Sequence, residues 1–125
     1  MNALMLRHSF EQVIKNGKQD ALTAKSLKLA KGYALNRKQL ASISVGCHVY
    51  IFDRTNNHSF LGRASVINER YVKIKNGNRE RRQDIYLTDV VACNYVDIPF
   101  IKGWETQRGV KVISKKEFEN LFVEH

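Results

Sequence analysis

The chain has 125 residues, with 21 Lys and Arg against 12 Asp and Glu for a formal charge of +9, and is 43% hydrophobic and 26% charged. That describes a single folded basic domain over 1–125, too small for a multidomain enzyme and too apolar for a disordered tail. No apolar run approaches the roughly 18 residues of a membrane helix, no secretory signal precedes Arg7 and His8, and Cys47 and Cys93 are too few for a disulfide framework, so a reducing cytoplasm is expected.

Ala3 to Leu6 is apolar enough for a short strand. Ser9-Phe10-Glu11-Gln12 then reads as a capping box opening a helix over about 10–16, with Phe10, Val13 and Ile14 on its inward face and Gly17 as its left-handed stop. Residues 18–35 show no clear period and read as a long loop or irregular crossover. Asn36 is a cap for a short helix through Arg37 to Ala41, and Gly46 breaks the chain after it.

From Cys47 the period becomes two. Cys47, Val49 and Ile51 alternate with His48, Tyr50 and Phe52, a strand that is apolar on both sides. Asn56-Asn57 suits a tight turn, and Ser59 to Asn68 returns with Phe60, Ala64 and Val66 expected on one side. Tyr71 to Lys75 reads as a further strand ending in Asn76-Gly77, the strongest hairpin signal in the chain, from which Asn78 to Gln83 leads back out. Ile85 to Val96 is β-branched enough for one long strand or two consecutive ones, and Pro99 ends ladder pairing because it has no N–H to donate. After Gly103 and Gly109, Val110 to Ile113 is a last short strand. Ser114 and Glu117 make a second capping box, Ile113 and Phe118 its hydrophobic staple, and the terminal helix is expected over about 115–123. Five or six non-local strands with short helices predict an α+β domain built on a small curved mixed or antiparallel β-sheet or a β-barrel.

The charge is unevenly placed. Between Asp20 and Asp53 there is no acid, while Lys25, Lys28, Lys31, Arg37 and Lys38 all fall there; Arg70, Lys73, Lys75, Arg79, Arg81 and Arg82 form a second cluster interrupted only by Glu80. Clustered Lys and Arg displace counterions from a phosphate backbone and so favour a polyanionic partner; composition alone does not separate nucleic acid from anionic lipid, and the partner expected is nucleic acid, RNA or DNA, with no membrane. The first group is expected to share one face. In the second, the acids are too few to lead us to expect buried ion pairs for Arg79, Arg81 and Arg82. Tyr33, among the lysines, and Trp104, in the Gly103 loop, are the candidate stacking residues; Tyr50, Tyr71, Tyr86 and Tyr95 lie on strands and read as core or cross-strand partners.

The order of elements resembles the PUA-like superfamily. Val45 to Asp53 is similar to the "G-D-x-V-x-x-Y" strand of EVE and ASCH domains, with Cys47 where Asp is common, and Ile98 to Phe122 is similar to their "P-x-x-G... R-x-I-S-x-x-E-F" ending. The resemblance implies a barrel-like sheet with a cleft beside the first helix that receives RNA or a modified base, as in EVE and YTH readers. Lys18 after Asn16-Gly17, with Thr23 downstream, resembles the lysine and threonine of ASCH amidohydrolases acting on modified nucleosides. The family's Glu-x-Arg is absent, and Lys18 equally suits a helix C-terminus. The binding set read from the sequence is therefore Lys18, Lys25, Lys28, Lys31, Tyr33, Arg37, Lys38, Arg79, Arg81, Arg82 and Trp104. No catalytic set is assigned. Cys47 and His48 point to opposite faces of a strand and no other Cys/His spacing suits zinc, so neither metal nor cofactor is expected. A protein-binding regulatory module is the remaining alternative, marked by an exposed apolar patch that charge would rim.

Overall fold

The computed structural model describes residues 1–8, 27–53, 58–93 and 109–121. They form β1 (Ala3–His8), β2 (Leu29–Tyr33), α1 (Arg37–Ser42), β3 (His48–Asp53), β4 (His58–Lys73), β5 (Arg79–Cys93), β6 (Val110–Ile113) and α2 (Lys115–Leu121). The expected helix at 10–16, the Asn56-Asn57 turn and the Pro99 region lie outside the described residues, as do Lys18, Thr23, Lys25, Tyr95 and Trp104. Among the described residues no helix is long and apolar enough to cross a membrane.

The strands make one open, mixed six-stranded sheet in the order β2-β5-β4-β3-β1-β6, not a closed barrel. β1 is apolar on both faces, as a central strand must be: Leu4 and Leu6 enter one core, Ala3 and Met5 the other. It pairs parallel with β3 (Leu4↔Val49, Leu6↔Ile51) and antiparallel with β6 (Ala3↔Ile113). The larger core gathers Leu4, Leu6, Val49, Ile51, Phe60, Ile85 and Val110 with Leu27, Ala30, Tyr33, Leu35 and Ile43. Because edge strand β2 and the stretch leading into α1 contribute to the same cluster as β1 and β6, the sheet curls around it. Tyr33 Oη reaches across to donate to the Arg7 carbonyl at 3.4 Å. On the other face α2 lays Phe118 over Ala3, Met5, Tyr50 and Ile113.

The curl has a local cause. β5 carries an extra residue at Asp89, which takes φ 56°, between the rungs Leu61↔Val91 and Arg63↔Thr88; β4 carries its own at Ser65, between Ala64↔Leu87 and Val66↔Tyr86. Each bulge bends and twists its strand, and each turns the following side chains to the opposite face. Below them the core takes Ile67, Gln83 and Ile85, so Val66, expected inward, stands 46% exposed.

The expected strands at 59–68 and 71–75 are one continuous strand, because β5 pairs with β4 from Ser59 to Lys73. The irregular crossover expected over 18–35 contains β2. That strand pairs Ala30↔Ile85 and Tyr33↔Gln83, and the one-residue slip between these rungs falls at Gly32, whose φ of +79° only glycine adopts freely; the bulge erases the period. The Asn76-Gly77 hairpin is present. Gly77 N–H donates to the Ile74 carbonyl at 3.0 Å with φ +81°, and Ile74 N–H to Asn78, which closes a three-residue turn.

Both described caps form as the sequence leads one to expect. Asn36 Oδ1 accepts from Gln39 N–H at 2.8 Å while Gln39 Oε1 accepts from Asn36 N–H at 3.0 Å. Ser114 Oγ accepts from Glu117 N–H at 3.1 Å, with Ile113 and Phe118 both buried as the staple. Ser114→Ala should cost about 1 kcal/mol, the usual value of an N-cap, read as a lower denaturation midpoint at unchanged m-value.

Candidate nucleic-acid interface

The outer part of the β4–β5 hairpin stands free of the rest of the sheet. β3 pairs with β4 only as far as His48↔Arg63, and β2 with β5 only as far as Tyr33↔Gln83, so from the rung Arg70↔Arg82 outward the hairpin is a two-stranded ribbon. It runs about 15 Å to the turn. Such a ribbon is marginally stable by itself, and every residue from Lys73 to Arg79 is exposed.

The uniform register sorts the second basic cluster by face. On the side away from the core lie Arg70, Arg82, Glu80 and Asp84, two cations against two carboxylates. Arg70 Nε donates to Asp84 Oδ2 at 2.8 Å, and Arg82 donates to Glu80 Oε2 at 2.8 Å and to the Gly32 carbonyl at 3.0 Å. Asp84 Oδ1 accepts from Gly32 N–H at 2.9 Å, so both polar groups of the bulge glycine are tied to this network. Arg82, for which the sequence predicts no buried ion pair, makes a partly buried one with Glu80 and also donates to a backbone carbonyl, so its role is to hold β2 against β5.

On the core side, the same ribbon has run past the apolar cluster and presents Tyr71 opposite Arg81 and Lys73 opposite Arg79. Tyr71 is 64% exposed. Three cations face one carboxylate there, Glu69, which stands 3.7 Å from Arg81. Arg79 and Lys73 make no ion pair among the described residues. The root of this face is pinned by Gln83, fully buried, whose Oε1 accepts from Leu35 N–H at 2.7 Å. Since Asn36 caps α1 immediately after Leu35, Arg37 and Lys38 leave the sheet beside that root, both exposed.

Burial alone would raise the Asp84 carboxyl, but the Arg70 hydrogen bond, the Gly32 N–H and the Arg70 and Lys31 charges outweigh it and hold it below the ordinary carboxylate range. A depressed folded value means stability that is present above the unfolded pKa of about 4 and is lost as pH falls through the folded one. Asp84→Asn should therefore be less stable than the parent at neutral pH, with the gap narrowing below about pH 4, read from denaturation midpoints across pH.

The other expected residues are distributed differently. Tyr33 is not a stacking residue: it is 5% exposed and packed in the main core, because the β2 bulge turns it inward. Lys28 and Lys31 are exposed at the sheet edge, and Lys31 faces away from the core toward Asp84. Arg37 and Lys38 ride on the helix that covers the core side. The described members of the acid-free stretch thus do not share one face, and a single phosphate track through them is withdrawn. Of the tyrosines read as core or cross-strand partners, Tyr50 is buried, while Tyr71 and Tyr86 are the cross-strand partners of Arg81 and Val66 and stand 64% and 42% exposed. The signal for Tyr71 is its place a few residues ahead of the Asn76-Gly77 turn, close to the tip of a hairpin. Cys47 is buried, its thiol pushed up by burial, and His48 points to the opposite face. Among the described residues no three His, Cys, Asp or Glu side chains could hold a metal.

Compared with protein families, with curated proteins and with solved structures, the chain gives no match.

Proposed function

We propose that this chain is a nucleic-acid-binding module that holds RNA, or single-stranded or base-modified nucleic acid, along the core-side face of the β4–β5 ribbon. The observation that carries this is the exposed Tyr71 ring set opposite Arg81 and one rung from Lys73 and Arg79, on a stretch with a deficit of acid. An aromatic ring on an open strand face stacks on a base, and flanking guanidinium and ammonium groups take the phosphates on either side. Strand rungs of like orientation are about 6.8 Å apart, a spacing that lets successive cations follow an extended backbone. Lys75 at the tip and Arg37 and Lys38 at the root lengthen the positive track. Arg82 and Arg70 support it by anchoring the ribbon's base.

The resemblance to PUA-like domains belongs with this proposal; a curled mixed sheet with a capped terminal helix supports it. The protein-binding alternative gains less support, since the exposed Val45, Val66, Tyr71, Ile74, Tyr86 and Val91 are scattered and only Val66 and Tyr86 are register partners. Fluorescence anisotropy with one sequence as RNA, single-stranded DNA and duplex DNA at two salt concentrations tests the reading. Binding that falls steeply with salt and favours the single strands is the expected result; no binding to any of them at low salt would end it.

A further inference from the structure

A concave site lies away from the ribbon, on the face covered by α2. His48 on β3 and Arg63 on β4 are direct cross-strand partners there. Lys115 and Glu119 of α2 stand at the rim, and Ala3 and Phe118 form the apolar wall of a hollow of about 270 Å³. The imidazole lies flat on the Phe118 ring, centroids 4.9 Å apart and 16° from parallel. The stacking fixes the plane of the imidazole, and His48 lines the hollow.

The charges around this hollow are poorly balanced. Arg63 has no carboxylate partner among the described residues; its one hydrogen bond goes to the Gly46 carbonyl at 3.3 Å. Glu119 reaches only Lys115, at 3.9 Å across a solvated helix turn, a pairing of little energy. A basic group directly opposite another across a strand pair is unfavourable, and the imidazole responds: burial first, then the Arg63 charge, hold His48 below its ordinary value. A bound dianion would remove that conflict.

We infer that the hollow bounded by His48, Arg63, Lys115 and Phe118 binds a phosphoryl group, with Arg63 and Lys115 as its charged donors and His48 as a hydrogen-bonding wall. Arg63 supplies planar, forked donors suited to phosphate oxygens, Lys115 a mobile point charge, and the Ala3 and Phe118 side an apolar surface for whatever carries the phosphate. The carrier is either a free phosphomonoester or the terminal phosphate of a strand, which present the same chemistry. This site does not rest on the ribbon proposal: Arg63 and Arg70 are roughly 20 Å apart along β4.

Binding and proton uptake at His48 are linked, so a dianion that favours the imidazolium must raise the pH at which His48 titrates. Arg63 of β4 and Lys115 and Glu119 of α2 are the charged side chains that line the hollow with it, together with Met1 ahead of β1. The experiment follows the His48 ring by NMR across pH with and without sulfate, whose charge does not change in this range. Inorganic phosphate, a nucleoside 5′-monophosphate and one oligonucleotide with and without a 5′-phosphate are then titrated into the parent, R63Q and K115A. The expected results are an upward move of the His48 titration with sulfate and a loss of phosphate affinity in R63Q of roughly tenfold, the size of one charge-assisted hydrogen bond. K115A, on the exposed side of a short helix, gives a smaller loss and guards against a folding defect in R63Q. Preference for the 5′-phosphorylated strand assigns the site to strand ends; preference for the mononucleotide assigns it to a free phosphomonoester. Equal phosphate affinity in the parent and both variants, or an unmoved His48 titration, overturns the inference and leaves the ribbon reading untouched.

Discussion

Tyr71→Ala should weaken single-strand binding by about 1–3 kcal/mol, the worth of one base stacked on an aromatic ring, without changing how affinity depends on salt. Arg79→Ala and Arg81→Ala should do the converse. Removing one cation from a single-strand phosphate lowers the slope of log affinity against log salt by about 0.7, and the affinity should fall similarly for all sequences. Arg82→Ala is the control that separates the two faces of the ribbon. Its guanidinium is engaged by Glu80 and the Gly32 carbonyl, so its removal should lower stability and loosen β2 while leaving the salt slope at its parent value. Anisotropy titrations at several salt concentrations, paired with denaturation midpoints for each variant, measure both effects. A salt slope that responds to Arg82 as strongly as to Arg79 would refute the sorting of charge by face.

Ile85→Ala should cost about 2–5 kcal/mol, because a fully buried side chain at the centre of the curled core leaves a cavity that the paired strands cannot collapse around. Val66→Ala, by contrast, should stay within about 0.5 kcal/mol of the parent. Both residues are β-branched and both sit in alternating stretches, so sequence pattern ranks them alike. The Ser65 bulge sends Val66 out and Ile67 in, while Ile85 remains on the core face. Urea denaturation of the two variants measures the difference directly; equal losses would refute the outward facing of Val66.

The parts of the fold legible in the sequence are those whose signal is carried by a few adjacent residues. Asn36 with Gln39, and Ser114 with Glu117, satisfy helix-end N–H groups within four residues, and the hairpin at Gly77 needs only a residue that tolerates positive φ. The Cys47 to Phe52 alternation is equally local, and it places Cys47 and His48 on opposite faces whatever lies beside them. The basic cluster around Asn76-Gly77 was visible as composition, and its exposure at a hairpin end followed from the turn.

What only the tertiary structure decided was the facing and partnering of those residues. Two bulges, at Asp89 and Ser65, and a third at Gly32 each shift a side-chain parity by one, and none leaves a mark in the hydrophobic pattern except a broken period. That is why Tyr33 is in the core and Val66 out of it, and why residues 29–33 form a strand without showing a strand's period. The pairing of Arg70 with Asp84 and of Arg82 with the Gly32 carbonyl, against the excess charge around Tyr71, depends on the register of β4 and β2 against β5, whereas Glu80 reaches Arg82 from two residues away on the same strand. Sequence determined the local turns, caps and charge of this protein because these are short-range; cross-strand pairing, which joins residues tens of positions apart, decided which cations remain uncommitted and which tyrosine meets solvent.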